Sequence, residues 1–451
     1  MTVKHALVAA LVAGTAAVAA ASAGAKASHE DRQASRIPQA TTAQLRAAGL
    51  GKLELAPQSK RVDLDVPEFS RPTRITNPLF PIGRLHSAVL SGRVEGKPFK
   101  TETTLLPFTR IVEWPAGRPV ATAISQYVAY LDGRIEEVAL DYYAQADDGS
   151  VWYFGEDVFN YADGAVADLE GTWLAGREGP AAMIMPARPK VGDTYRSENV
   201  PGVVFEEVTI VAVGRTVAGP KGPVTGAIVA RELHQDGETE NKTFAPGYGE
   251  FFTGGGGDVE AMSLAIPTDA LTGPTPPSLA AILDAAGSVF GAARGSRWSR
   301  AAAAVVRARS ARTTLRKGKV PPRLATRLER AVNAASAAVT SRKPVAAARA
   351  AAALADASLD VSLRYRSPAQ VDRARFAWWA RRLAVDAGAR DEAAASGDLA
   401  AMEWIRDRFA HTLGLVERTR MDATLVRLRT DVTDGELGRA ARIAAGLAAR
   451  T

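Results

Sequence analysis

Between residues 83 and 266 the chain alternates with a short period. Apolar or β-branched runs of five to nine residues are separated by Gly, Pro, Asp and Asn, the pattern of strands joined by turns. Strands are expected at 84–94, 97–114, 120–131, 134–146 and 151–157, and again at 194–197, 203–213, 227–235, 238–245, 250–252 and 259–266. Asp132-Gly133, Asp148-Gly149 and Asp236-Gly237 fall between them, where hairpins need residues that tolerate positive φ. Tight hairpins make neighbouring strands antiparallel, so the expectation is a meander folded into a sandwich or half-barrel.

From Ser278 the period changes. Gly becomes rare, Ala and Arg dominate, and apolar residues recur three and four apart, which predicts amphipathic helices. They are expected at 279–293, 299–317, 321–340, 344–365, 368–394, 398–415 and 434–450, with Pro321, Pro344 and Pro368 near their starts, where the first N–H groups have no partner to lose. The four glycines 254–257 and the Pro-rich 272–277 mark the change. The fold class is therefore multidomain: an N-terminal antiparallel β sandwich or half-barrel over 62–271, a semi-rigid linker at 272–277, and a C-terminal all-α helical bundle over 278–451.

The first residues follow a third pattern. Lys4 and His5 precede an apolar run of small residues over 6–21, and Ala-x-Ala sites follow at 21–23 and 23–25. This predicts a cleaved signal peptide at 1–25 and an exported, extracytoplasmic protein. Residues 26–61 are polar and weakly patterned, and read as a flexible tail with at most a short helix near 42–48.

Composition narrows the chemistry. The 451-residue chain has no Cys, which removes disulfides, a lipid-anchored Cys, thiol nucleophiles and thiolate metal sites. Its net charge is +7, but the halves differ: residues 278–451 carry 31 Lys+Arg against 16 Asp+Glu, net +15, leaving 25 against 33, net −8. Residues 294–349 hold 15 of the basic residues and a single acid, Glu329. Such a block suits an anionic envelope surface as a partner, and export disfavours nucleic acid.

Candidate chemistry concentrates in 134–198. Around an Asp148-Gly149 turn, alternation places Tyr142 and Ala144 beside Trp152 and Phe154 on one face. Glu137, Asp141 and Tyr143 share the other, and Glu156, Asp157 and Glu170 lie just beyond. Glu137, Asp141 and Glu156 are the candidate catalytic set, able to act as a carboxylate pair on a glycan if they converge. Tyr143, Trp152, Phe154, Trp173 and Met183 are the candidate ligand-binding set, with a cavity expected between the aromatic face of the hairpin and 171–195. The remaining histidines, His29, His86, His234 and His411, are isolated, so no histidine-built metal site and no cofactor are expected. In the helical half Asp372, Arg375 and Trp379 fall on one stripe, a spacing for an ion-pair network against an aromatic ring.

The runs DYYAQADDGSVWYFGED at 141–157, GTWLAG at 171–176 and PARPKVGDTYR at 186–196 resemble a group of secreted bacterial proteins with no assigned function. The likeness covers the β domain alone. It implies export and fold and lends no role to any residue. With no complete catalytic constellation in the chain, the expectation is an exported binding protein, not an enzyme, with a small apolar or glycan ligand on the β domain. Alternatives are a carboxylate-based glycan hydrolase or lyase, and a structural module in which the two halves neutralise each other.

Overall fold

A computed structural model describes residues 36–450 except 116, 256 and 319. The expected signal segment lies outside the described residues. An antiparallel sheet of 14 strands spans Ser87 to Ile266, and helices follow from Pro277 to Ala448.

The strands are β1 (Ser87–Val94), β2 (Lys97–Glu113), β3 (Pro119–Leu131), β4 (Arg134–Gln145), β5 (Val151–Ala162), β6 (Ala165–Asp168), β7 (Trp173–Leu174), β8 (Ala182–Met185), β9 (Thr194–Val200), β10 (Val204–Gly219), β11 (Gly222–His234), β12 (Thr239–Ala245), β13 (Gly249–Gly255) and β14 (Asp258–Ile266). Their order is β6-β5-β4-β3-β2-β1-β14-β13-β12-β11-β10-β9, with β7 and β8 also on β5. Two meanders thus meet at β1 and β14. β8 bonds to β5 and packs against β9, so the two ends of the sheet approach and the sheet curls on itself. This is the half-barrel alternative, with one sheet rather than the two of a sandwich.

Period-two alternation gives this sheet two unlike faces. On β3, Val128 and Tyr130 pack with the helices, while Ser125, Tyr127 and Ala129 line a pocket on the concave side. The convex side carries the helices α2 (Pro277–Arg294), α3 (Trp298–Leu315), α4 (Pro322–Thr340), α5 (Pro344–Ser362), α6 (Pro368–Gly388), α7 (Glu392–Phe409), α8 (Leu415–Thr433) and α9 (Leu437–Ala448). Val89, Leu264 and Ile266 join the core of α2 to α5. Val128, Ile135 and Val138 join Phe376, Leu383, Leu399 and Ile405 of α6 and α7. The alanine-rich seams of α2 and α5 are fully buried, and small side chains let those helices approach closely.

A buried ion network ties the two layers. Lys100 Nζ lies 2.6 Å from Glu102 and 2.9 Å from Asp356, Arg408 reaches Glu102 at 2.5 Å, and Arg375 contacts Asp360 at 2.6 Å and Asp372 at 2.9 Å. Arg327 adds contacts to Asp356 and Asp360. The stripe of Asp372, Arg375 and Trp379 is thus part of a larger lattice, with Trp379 stacked on Tyr130 at 5.7 Å.

Two boundaries differ from expectation in the helices. The break expected between 394 and 398 comes earlier: the helix from Pro368 ends at Gly388, and Asp391 caps the next, Glu392–Phe409 in place of 398–415, by accepting from the Ala394 N–H at 3.2 Å. Helix α8 has no expected counterpart, because Leu415, Val416 and Val426 point to solvent and blur its apolar stripe. The described part of the expected tail is folded: α1 (Thr42–Ala47) has a capping box, Ile37 and Leu50 are buried, and the Ala56 N–H bonds Glu207 at 2.6 Å.

Candidate functional site

The concave face of the sheet encloses a pocket of about 720 Å³, within the size range of small-molecule sites. One wall is apolar: Phe80, Ile82 and Leu85 from the segment entering the sheet, Leu90 of β1, Phe99 of β2 and Leu131 of β3. Exposed Glu95, Ala162 and Asp168 line its rim. Among the described residues, no helix of the C-terminal half lines it.

The other wall is acidic, and a backbone irregularity builds it. Tyr143 pairs with Tyr153 and Asp141 pairs with Glu156, so Phe154 and Gly155 together oppose Tyr142. This is a β-bulge with glycine at φ +122°. A Cβ at Gly155 would stand 2.2 Å from the Trp173 carbonyl oxygen of β7, so no other residue fits. The bulge resets the alternation of β5. Without it Glu156 and Tyr153 would face opposite sides; with it both share a face with Asp141. Tyr153 donates to Asp141 at 2.9 Å and stacks on Tyr143 at 4.8 Å.

Burial pushes the Asp141 carboxyl up to about 7, opposed by the Tyr153 hydrogen bond and reinforced by Glu137. Burial also holds Glu156 well above the carboxylate range, with Glu198 of β9, Asp141 and Glu137 adding repulsion. Glu198 is raised by burial and then by Glu206 of β10. On the far side burial lifts Glu260 of β14 to about 8, with Glu250 of β13 adding to it, although Thr101 donates to it. Burial lifts Glu232 of β11 to about 7 against the pull of Lys242. These couplings run from β4 and β5 across to β9 and on to β14, so the carboxylates form a band around the inside of the curled sheet. Among the described residues, two cationic side chains are coupled into the band. Lys242 sits 2.8 Å from Glu232. His234 sits 2.7 Å from Glu206, and its hydrogen bonds to Glu206 and Glu240 overcome burial and carry it up to about 10.

Glu206, Glu232 and His234 present ligand atoms within reach of one another, close enough for a metal ion. In this structure they pair internally: His234 contacts Glu206 and Glu240, and Lys242 contacts Glu232.

The sequence-predicted residues separate by face. Glu137, Asp141 and Tyr143 line the pocket, as does Glu170, and Glu156 stands directly across from Asp141. Asp157 turns the other way, accepting from Tyr142 at 2.5 Å and Arg110 at 3.0 Å. Trp152 and Phe154 are packed on that same far side against Trp114, at 6.5 and 5.9 Å, and Met183 pairs with Trp152. Trp173 is buried edge-on to Tyr153 at 5.4 Å. None of these four lines the pocket. The cavity opens on the carboxylate face of the hairpin, because the residues preceding β1 pack Phe69 onto Phe154 and fill the aromatic face.

Sequence reading missed Ser125, Tyr127, Lys242, Glu250 and Glu260. A local signal was present for Glu260, an inward acid in the largely apolar DVEAMSLAI, but not for Lys242, which sits in the polar TENKTFA. Ser125 and Tyr127 come from β3, the hairpin neighbour of β4, whereas the strands carrying Lys242, Glu250 and Glu260 are far from Asp141 in the chain. Compared with known protein families, curated proteins and solved structures, the chain has no significant match.

Proposed function

We propose that this protein binds a small, partly apolar ligand in the concave pocket of its β domain, outside the cytoplasm. The observation that carries this is the pocket itself, with an apolar wall facing an acidic one on a rigid sheet. Wet apolar surface of this extent is costly unless it serves a ligand. The test uses a neutral environment-sensitive naphthylamine dye, whose fluorescence rises on entering an apolar site. Ala129→Phe, which places a ring in the pocket from β3, is expected to weaken dye binding at least about tenfold. Dye binding unchanged by that substitution overturns the reading. Turnover of a glycan or ester by the purified protein, lost in Glu156→Gln, would replace it with a carboxylate-based enzyme.

The extracytoplasmic placement rests on the pattern of residues 4–25 and is checked by cell fractionation. The helical half supplies docking in this reading. Arg300, Arg307, Arg309 and Arg316 of α3 and its C-terminus, and Arg323 and Arg330 of α4, are exposed, a basic surface suited to anionic polymer or lipid. Co-sedimentation with anionic but not neutral vesicles, lost at high salt, is the expected result.

A further inference from the structure

We infer that the ligand carries a positively charged nitrogen, an amine or quaternary ammonium, held between Asp141, Glu137 and the rings of Tyr127 and Tyr143, with its apolar portion on the Leu90–Phe99 wall. This rests on the pocket reading above and names the ligand class.

Three observations converge on that one spot. First, the charge there is unbalanced. Asp141 is 8% exposed and Glu137 half-buried. Asp141 accepts one hydrogen bond, from Tyr153, and no cation contacts it among the described residues. Second, Ser125 lies directly across from Asp141 in the β3–β4 register and lines the same pocket. It is 1% exposed, and its Oγ has no hydrogen-bond partner among the described residues. Native structures rarely leave such a group unpaired unless something else meets it. Third, aromatic rings beside carboxylates are the chemistry that recognises organic cations, since the ring faces are electron-rich and the carboxylates supply net charge. Tyr143 follows Asp141 by two residues on β4, Tyr127 stands on the adjacent β3, and both line the same pocket. An anionic head would be repelled by the acids in their ionised form. A neutral head would leave the acids buried without a counter-charge.

The test is a matched series of decyl amphiphiles with trimethylammonium, neutral sugar and carboxylate heads. Each is titrated below its micelle-forming concentration against displacement of the naphthylamine dye from the full-length protein. The trimethylammonium head is expected to bind at least about tenfold more tightly than the neutral one, and the carboxylate head more weakly than either. In Asp141→Asn, and independently in Glu137→Gln, the ratio of trimethylammonium to neutral-head affinity should fall towards one. Cooperative thermal unfolding at or above the parent's temperature shows the variants are folded. Equal binding of trimethylammonium and neutral heads overturns the cation assignment and leaves the pocket reading intact. Failure of every head and of the dye overturns both. If Ca²⁺ alone raises the melting temperature as much as the trimethylammonium amphiphile does, the site is a metal site and the assignment falls.

Discussion

The same sheet buries charge on both of its faces, and the two clusters behave oppositely. On the convex face Lys100, Arg327, Arg375 and Arg408 meet Glu102, Asp356, Asp360 and Asp372, four against four. Burial works against the Glu102 carboxylate, but Arg375, Lys100 and Arg408 outweigh it and hold the group well below the ordinary range. Asp356 is held low in the same way by Lys100, Arg327 and Arg375. Burial still lifts Asp372 and lowers Lys100, so the balance is not perfect at every member. On the concave face burial wins outright at Asp141, Glu156, Glu198, Glu232 and Glu260. A buried charge that has its partner is architecture. A buried carboxyl without one is stable only when neutral, or when something arrives to pair with it.

The largest effect is expected on the convex side. Arg375→Met removes a cation that touches Glu102, Asp356, Asp360 and Asp372, leaving uncompensated buried acids. It should cost about 3–5 kcal/mol of unfolding free energy, measured by urea denaturation. A cost under about 1 kcal/mol would mean the cluster is hydrated and the contrast between the faces is false.

On the concave side the corresponding deletion should do the reverse. Asp141→Asn replaces a carboxyl that titrates near 7 by a neutral isostere that keeps an acceptor for Tyr153. At pH 8 the variant should match or exceed the parent by about 1–2 kcal/mol, and below pH 4 the two should coincide. Destabilisation as large as that of Arg375→Met would show that ionised Asp141 is structural.

The pH profile of the parent follows from the same asymmetry. Asp141, Glu232 and Glu260 have folded values of about 7, 7 and 8, above their ordinary 3.8, 4.5 and 4.5. Below pH 4 both folded and unfolded chains hold these protons. As the pH rises the unfolded chain releases them first, so stability is lost progressively until the pH passes about 8. Glu102 and Asp356, shifted the other way, contribute stability above their ordinary range that is lost only in acid. The melting temperature should peak near pH 4 and fall by about 3 °C towards pH 8. A flat profile between pH 5 and 8 would break the comparison.

How much of this could be read from the chain depends on distance. The alternation along each strand is local, and the expected strand at 97–114 is β2 to within a residue. Hairpin turns at Asp132-Gly133 and Asp148-Gly149 also emerge where expected. The face assignment of the hairpin survived because Glu137, Asp141 and Tyr143 obey simple period two. Glu156 reaches the same face only through the Gly155 bulge, which depends on the Trp173 carbonyl, 18 residues further on. The pairing of β1 with β14 and the approach of β5 to β9 bring Glu260 and Glu198 near Asp141, and nothing local in those segments announces it. For the same reason Trp152 and Phe154 looked like a binding surface. Their cover, Phe69 and the residues after it, comes from a stretch with no strand pattern of its own.

The smallest predicted effect separates the two faces of that hairpin. Met183 is buried, pairs with Trp152 and lies away from the pocket. Met183→Leu conserves volume and apolar character, so it should cost less than about 1.5 kcal/mol. Dye affinity should stay within about twofold, a change of under about 0.4 kcal/mol. Ala129→Phe inverts both readouts. It adds volume where the sheet borders open space, so the fold has room to accept the ring and the dye does not. If Met183→Leu weakened the dye as strongly as Ala129→Phe, the pocket would have to reach through the hairpin. The packing of Trp114, Trp152 and Phe154 forbids that. The two substitutions together therefore test whether the sheet is a wall between a filled side and an open one.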